Sequence, residues 1–185
     1  PTFKANQLPQ GEVAHVVGSK DPELWHRTIP NIFKDTVYRF ANREAAVFPE
    51  QEIRWTWAEL DREVDALAHG LLELGLQKGD RVGIWSPNRY EWLLTQFATA
   101  RIGIILVTIN PAYRVSEVEF ALNKVGCKAL ITASHFKTSD YIGMLQDLAP
   151  ELSRCEPGAL TATKLASLKT VIRTGPETTS GMLNF

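Results

Sequence analysis

Apolar residues along positions 56–132 change repeatedly between the spacing of helices and that of strands. Leu60, Val64 and Leu71 recur at helical intervals and predict an amphipathic helix. The short apolar run at residues 81–85 follows and predicts a strand. The same alternation is repeated further along the chain, so this segment predicts successive β-α-β units.

Four short strands are predicted in all, at residues 81–85, 104–108, 128–132 and 169–173. Helical patterns separate them, and this order favours an α/β fold with a mainly parallel sheet flanked by helices. The strand at 104–108 is apolar at nearly every position, which predicts that both of its faces are covered. Residues 150–168 predict a looser connection before the last strand.

The N-terminal part of the chain has a different pattern. Residues 1–27 are mostly polar and predict an arm. Thr28 followed by Pro30 predicts the start of a helix, because Thr can cap a helix whose first turn tolerates Pro. Residues 45–48 and 53–56 flank a polar turn, so a short β-hairpin is expected there.

Two pairs of side chains predict where later helices begin. Thr56 with Glu59, and Ser116 with Glu119, each place a hydroxyl three residues before a carboxylate. In a capping box at this spacing, each side chain accepts a hydrogen bond from the other residue's backbone amide. Both pairs are therefore predicted to be helix N-termini.

Composition and charge argue against several classes of protein. The net charge is −1, and the basic residues are spread among acidic ones, so a nucleic-acid-binding face is not expected. The apolar run at 102–107 is too short to cross a bilayer. The histidines lack ligand partners at metal-binding spacing, and no metal site is predicted. Cys127 and Cys155 are isolated thiols, which favours a reducing, cytoplasmic location.

Candidate binding residues lie where the predicted strands end, because ligands of open parallel sheets bind beyond the carboxyl ends of the strands. Asn110, Pro111 and Tyr113 follow the strand at 104–108, and Lys137 follows the strand at 128–132. A turn alone also explains Asn before Pro, and a lone Lys is commonly solvated. Arg89 is better explained by a surface ion pair than by an anion contact.

Several sequence segments carry a resemblance to one known family. These are LLELGLQKGDRVGIW, PNRYEWLLTQFATARIGIILVTINPAY, VGCKALIT and FKTSDY. They resemble medium- and long-chain fatty-acyl-CoA synthetases of the adenylate-forming, AMP-binding superfamily. The Gly79-Asp80-Arg81-Val82 and Asn110-Pro111 motifs are similar to much of the superfamily, whereas Phe136-Lys137 is similar to the fatty-acyl branch.

The resemblance implies a two-step reaction for the parent enzyme. A fatty-acid carboxylate attacks the α-phosphate of Mg-ATP to give acyl-AMP and pyrophosphate, and the thiol of CoA then displaces AMP. ATP, Mg²⁺ and CoA would be the cofactors. The family's Ser/Thr/Gly-rich loop ending in Lys-Gly, its Tyr-Gly-x-Thr-Glu motif, its ribose-binding Asp and its lid Lys have no match in this sequence. The chain is therefore expected to hold no catalytic residue, to bind none of these ligands alone and to be inactive by itself.

The resemblance also implies a place for the chain within the parent. Residues 28–185 would be the first, flavodoxin-like part of a larger N-terminal adenylation domain, truncated after Phe185. The loop with Asn110, Pro111 and Tyr113 matches a family loop near the CoA channel. Lys137 matches a segment where basic residues meet the CoA nucleotide. These four residues are the CoA-channel candidates.

Two other functional hypotheses remain open at this point. The parent could be another adenylate-forming ligase that acts on an aryl acid or an amino acid, or the chain could be a stand-alone α/β interaction module. A truncated domain is expected to expose apolar residues that would face its missing part. Met182, Leu183 and Phe185 are predicted to be exposed in this way and to make the chain self-associate, with the remainder of its own polypeptide as the natural partner.

Overall fold

Helices and strands alternate along the computed structural model, which describes residues 18–19 and 21–185. The α-helices are α1 (Ile29–Phe40), α2 (Trp57–Glu73), α3 (Tyr90–Ile102), α4 (Val115–Val125) and α5 (Tyr141–Leu148). The strands are β1 (Glu44–Phe48), β2 (Ile53–Thr56), β3 (Arg81–Trp85), β4 (Ile105–Thr108), β5 (Ala129–Thr132), β6 (His135–Phe136), β7 (Ser139–Asp140), β8 (Thr170–Arg173) and β9 (Leu183–Asn184). The arm predicted for residues 1–27 lies mainly outside the described residues and stays a prediction.

The central sheet is parallel and has the strand order β4-β3-β5-β8-β9. When these five strands are numbered along the chain, the order is 2-1-3-4-5, which is the flavodoxin-like order. The predicted α/β fold with a mainly parallel sheet is confirmed. Each of the four predicted strands is found within one residue of its expected bounds.

Strand side chains alternate between the two faces of this sheet. Val82 and Ile84 of β3 lie in one apolar cluster with residues of α1, α2 and α3. Leu130 of β5 and Val171 of β8 lie in a second cluster with residues of α4 and α5. The domain therefore has three layers, because a sheet that is apolar on both faces needs helices on each side.

Local signals at the N-terminal helices behave as expected. The Thr28 side chain accepts a hydrogen bond from the Asn31 amide at the start of α1. Thr56 and Glu59 form a complete capping box at the start of α2. Strands β1 and β2 pair antiparallel, which confirms the predicted hairpin.

The predicted capping box of Ser116 and Glu119 is wrong. Helix α4 begins at Val115, and the Glu117 carboxylate accepts a hydrogen bond of 2.8 Å from the Arg114 amide. Arg114 has an extended backbone and makes no side-chain cap. The helix therefore starts one residue before Ser116, with Glu117 in its first turn near the positive end of the helix dipole.

Two predictions about exposure also need correction. β4 lies at the edge of the sheet, and Ile105 on it is 52% exposed, so the apolar run at 104–108 is not covered on both faces. Residues 150–168 do not form a loose connection, since Leu152, Leu160 and Leu165 are each 1% exposed within the core. Part of this segment is a 3-10 turn at Pro150–Arg154, and its leucines anchor it to the layer of α4 and α5.

The C-terminal tail is packed rather than exposed. Met182 is 4% exposed, and Leu183 and Phe185 are partly buried against the core. The predicted exposure of these residues is wrong because β9 pairs with β8 and becomes the edge strand on that side of the sheet. Gly181 permits this path: it has a φ of +75°, and a Cβ there would lie 1.8 Å from the Leu152 carbonyl oxygen. Self-association of the chain stays a prediction.

Candidate functional site

The polar loops at the carboxyl end of the sheet meet at its topological switch point. In the 2-1-3-4-5 order, the crevice for a ligand opens between the first strand and the third, here β3 and β5. The loops that follow these strands are residues 86–89 and 133–138. Loop 109–114 after β4 lies beside them, since β4 is the other neighbour of β3. The fold thus brings three of the predicted loops to one edge.

The turn at Asn110, Pro111 and Tyr113 is held by its own hydrogen bonds. The Asn110 side-chain oxygen accepts from the Ala112 amide at 2.9 Å, and the Asn110 carbonyl accepts from the Tyr113 amide at 3.0 Å. This arrangement is the Asx turn expected of Asn at such a position. The prediction of a turn is therefore confirmed, and any contact with a ligand is made from a preformed loop.

Two buried aromatic side chains hold the same turn in place by donating hydrogen bonds to its backbone carbonyl groups. The Trp85 indole nitrogen donates to the Asn110 carbonyl at 3.2 Å, and the Tyr141 hydroxyl donates to the Pro111 carbonyl at 2.5 Å. The two rings are stacked, with centroids 3.7 Å apart and planes 12° apart, and both residues are fully buried. Burial raises the pKa of Tyr141 to about 12, so its hydroxyl remains a donor at neutral pH. We call Trp85 and Tyr141 the aromatic pair.

Lys137 lies in the turn of a small hairpin formed by β6 and β7. Its backbone has a φ of 51°, in the left-handed region, and its side chain is exposed. The ammonium nitrogen lies 5.3 Å from the centroid of the Phe136 ring, within the range of a cation–π contact. Phe136 itself packs against the core. The lysine is therefore presented to solvent on a short anchored hairpin.

A side-chain hydrogen bond links the lysine hairpin to the loop at 109–114. The Arg114 guanidinium donates to the Ser139 hydroxyl at 2.7 Å. Among residues 18–19 and 21–185, no hydrogen bond joins Lys137 itself to Asn110, Pro111 or Tyr113. The Arg114 bond therefore joins the hairpin to the loop at 109–114, and the carboxylates of Asp140 and Asp147 line the same pocket as Arg114.

Sequence reasoning singled out neither Tyr141 nor Arg114 as a residue of the site. A signal for Tyr141 was present, because a buried Tyr hydroxyl nearly always finds a hydrogen-bond partner. The identity of that partner, the Pro111 carbonyl, depends on how α5 packs beside β4. No local pattern marks Arg114.

Two other arginines at this edge are already paired. Arg89 forms an ion pair of 3.2 Å with Glu91, as predicted, and Glu91 is 1% exposed. Arg173 at the end of β8 contacts Glu177 and Thr179, each at 2.7 Å. Its Nε is buried without a hydrogen-bond partner. Arg173 therefore holds the loop at 174–182 against the sheet.

The described residues carry neither a metal-binding cluster nor a membrane-spanning helix. That part of the chain contains no group of three or more His, Cys, Asp or Glu side chains arranged to hold a metal ion. None of the helices in residues 18–19 and 21–185 is long and apolar enough to cross a bilayer.

The sequence of the chain matches one enzyme family. The profile of the AMP-binding enzyme family matches residues 33–179, which is most of the chain. The chain therefore belongs to the AMP-binding enzyme family. The rat protein named medium-chain acyl-CoA ligase ACSF2, mitochondrial, is 47% identical over 167 residues, which cover 90% of this chain and 27% of the rat protein. The chain thus spans little more than a quarter of the length of this relative.

Solved structures agree on the fold. The anthranilate CoA ligase AuaEII in complex with anthranoyl-AMP matches with a TM-score of 0.70 and 20% identity, over 85% of this chain and 26% of that one. A fatty acyl CoA synthetase from Mycobacterium tuberculosis matches with a TM-score of 0.66 and 23% identity, over 79% and 26%. At these identities the likeness establishes the architecture alone.

Proposed function

We propose that the chain is the N-terminal part of a fatty-acid–CoA ligase, which activates a fatty acid with ATP and transfers the acyl group to CoA. The observation that carries this proposal is the 47% identity over 167 residues with the rat medium-chain acyl-CoA ligase. ATP, Mg²⁺ and CoA would serve the longer enzyme, and a fatty acid would be its substrate. Residues 28–185 would form the first α/β part of its adenylation domain.

The loop and hairpin at the carboxyl edge would serve the second half-reaction. Asn110, Pro111 and Tyr113 would border the route by which CoA reaches the acyl-adenylate, and Lys137 would meet a phosphate of CoA. Two observations support this assignment. The turn is rigid because the aromatic pair holds two of its carbonyl groups. The lysine is exposed on a short hairpin that Arg114 joins to the same surface.

The chain alone would be inactive and would bind none of the three ligands by itself. An adenylating site must stabilise a polyphosphate with backbone amides, a cation and Mg²⁺. The sequence holds neither the family's phosphate loop nor its lid lysine. The chain would therefore contribute residues that line the active site of the enzyme, and the groups that take part in the reaction would come from the rest of the protein.

The proposal is tested on the longer ligase. AMP release is measured with CoA and each of four acids: a medium-chain fatty acid, a long-chain fatty acid, anthranilate and an amino acid. We expect the fatty acids to be preferred by kcat/KM, with the acyl chain length set by residues outside this chain. A preference for anthranilate or the amino acid would move the protein to another branch of the family. No AMP release with either fatty acid would refute the proposal of a fatty-acid–CoA ligase.

The cellular location is a separate proposal. Cys127 and Cys155 are both free thiols, which agrees with a reducing compartment such as the cytoplasm. The name of the rat relative places that protein in mitochondria. Fractionation of cells that carry the tagged longer protein would distinguish the two, and recovery with mitochondria would contradict the cytoplasmic proposal.

A further inference from the structure

The lysine hairpin, formed by β6 and β7, is too small to keep one orientation by itself. Each strand has two residues, and the two strands pair only with each other. An isolated two-stranded hairpin is marginally stable at best in water. Phe136 packs against the core, and Ser139 is 9% exposed. The orientation of the hairpin therefore depends on the contacts of these two residues with neighbouring elements.

The turn of the hairpin has a backbone conformation that a lysine rarely adopts. Lys137 has a φ of 51°, where glycine or asparagine is the usual residue. A residue of another type stays in this region only where the surrounding structure holds it, and such residues are common at ligand-binding sites. The Lys137 side chain is exposed, and its contact with the Phe136 ring lies within the hairpin. The restraint must therefore come from outside the hairpin.

Arg114 supplies a restraint of this kind. Its guanidinium donates to the Ser139 hydroxyl at 2.7 Å, and Ser139 pairs with Phe136 across the hairpin. Arg114 is itself fixed at the start of α4, because its amide donates to the Glu117 carboxylate at 2.8 Å. The bond thus connects the hairpin to a part of the chain that a helix holds in place.

The charges around Arg114 favour this role over direct contact with an anion. The carboxylates of Asp140 and Asp147 line the same pocket as Arg114. Like charge opposes the approach of a phosphate to this pocket. The exposed Lys137, on the turn of the hairpin, is the better placed cation for such a contact. Arg114 is therefore suited to act on a ligand through the hairpin.

We propose that Arg114 is a positioning residue for the contact between Lys137 and CoA. Through Ser139 it holds the hairpin in the orientation from which the lysine meets a CoA phosphate, and it does not touch CoA. Without the bond, the hairpin takes several orientations, and the apparent affinity for CoA falls with the fraction of molecules that are correctly oriented. The inference rests on the proposed function in one respect, namely that Lys137 meets a phosphate of CoA.

Amide hydrogen exchange tests the positioning without CoA. In the 185-residue chain, Ser139→Ala removes the acceptor and keeps the charge of Arg114. We expect exchange across residues 135–140 to become about fivefold faster, because local opening of the hairpin becomes easier, and exchange in α2 to stay the same. Ser153→Ala is the matched control: Ser153 is exposed beyond the other end of α5, and its hydroxyl donates to the Pro150 carbonyl at 2.9 Å. Unchanged exchange across residues 135–140 in Ser139→Ala would overturn the proposal.

A double-mutant cycle in the longer ligase tests whether Ser139 acts through the lysine. The KM for CoA is measured for Lys137→Ala, Ser139→Ala and the double variant, with Ser153→Ala again as the control. If Lys137→Ala raises this KM about fivefold, we expect about threefold for Ser139→Ala and again about fivefold for the double variant, because the bond has no effect once the lysine is absent. Independent effects would multiply to about fifteenfold, and that result would contradict the proposal.

Arg114→Ala distinguishes positioning from direct contact. We expect it to raise the KM for CoA as Ser139→Ala does, and to have no further effect in the Lys137→Ala background. A rise with Arg114→Ala but not with Ser139→Ala would show that the guanidinium contacts CoA itself and would overturn the proposal. An unchanged KM in Lys137→Ala, with faster exchange across residues 135–140 in Ser139→Ala, would refute the proposed contact of Lys137 with CoA and leave the restraint on the hairpin in place.

Discussion

At the scale of single residues, the aromatic pair is the feature that gives the candidate surface its shape. Trp85 and Tyr141 come from distant parts of the chain, yet each donates to a backbone carbonyl of one turn. Asn110 is exposed and Pro111 is half-buried, so these two hydrogen bonds fix the position of the turn. The turn therefore depends on two side chains that do not themselves reach solvent.

Removing the Tyr141 hydroxyl should destabilise the chain. Tyr141→Phe keeps the stacked ring but leaves the Pro111 carbonyl without its donor, and we expect a loss of about 1–2 kcal/mol in the free energy of unfolding. Urea denaturation measures it. Tyr113→Phe is the matched control, since no hydrogen bond of its hydroxyl is found among the described residues. Equal losses in the two variants would contradict the role assigned to the hydroxyl.

Lys137 is predicted to act on CoA and not on adenylation. In the longer ligase, Lys137→Ala should raise the KM for CoA about fivefold, the effect of one exposed charge contact, and leave acid-dependent pyrophosphate exchange nearly unchanged. Lys124→Ala, which removes an exposed lysine from the end of α4, is the control. An unchanged KM for CoA, or an equal loss in both half-reactions, would remove Lys137 from the site.

The sequence predicts these residues unequally, for a physical reason. The positions of Asn110 and Lys137 beyond the ends of strands could be predicted from it, because the end of a parallel strand is recognisable from local pattern. The partner of the Tyr141 hydroxyl could not, since that bond joins residues 30 positions apart through the packing of α5. Arg114 and its bond to Ser139 were missed for the same reason.

At the scale of elements, the exposure of a strand depends on its position in the sheet, which the sequence pattern alone does not give. The apolar residues of β4 predict a strand, but β4 is an edge strand and β5, with similar residues, is central. The sequence pattern shows that a strand is apolar, but the number of strands that pair with it is known only from the strand order of the sheet. The predictions of helix starts also differ in outcome. The capping box of Thr56 and Glu59 at α2 was predicted correctly. At α4 the glutamate in the first turn is Glu117, two residues before the predicted Glu119.

An ion pair joins the beginnings of two neighbouring strands and should make stability depend on pH. Asp80 before β3 lies 2.7 Å from the Lys128 ammonium before β5 and accepts from the Gln77 amide at 2.9 Å. The Lys128 contact, followed by the Gln77 hydrogen bond, lowers the pKa of Asp80 below its ordinary value. The folded state thus favours the carboxylate over the protonated acid.

Asp80→Asn should reduce stability most at neutral pH. A carboxyl whose pKa is lower in the folded chain stabilises it fully above the unfolded pKa of about 4, and that stabilisation disappears as pH falls through the folded value. The difference in unfolding free energy between the two proteins should therefore shrink below about pH 4. Glu156→Gln, at an exposed glutamate without an ion pair among the described residues, serves as the control. A difference that is constant with pH would refute the assignment.

At the scale of the whole molecule, the described residues form a three-layer unit. β9 and Met182 complete the core from within the chain. The sequence predicted that apolar surface would be left at the tail, and it could not show the tail to be packed, because the return of the tail to β8 depends on the turn at Gly181.

The 185-residue chain is expected to be catalytically silent. Fatty-acid-dependent exchange of labelled pyrophosphate into ATP should stay at background, because the chain lacks the family's phosphate loop and lid lysine. The longer ligase, prepared in the same way from a host without its own synthetase, is the positive control. Exchange above background by the shorter chain would refute this prediction. Light scattering over a dilution series of the same sample tests the predicted self-association.

The pairing of β9 with β8 also bears on how such a ligase would be synthesised. Ribosomes add roughly 5–20 residues per second, and domains generally fold as units in the order in which they emerge. The core of this unit is complete only once Asn184 has paired beside Arg173, because until then β8 has no neighbour on that side and Met182 is not in the core. During that interval we expect the nascent protein to depend on chaperones that bind nascent chains.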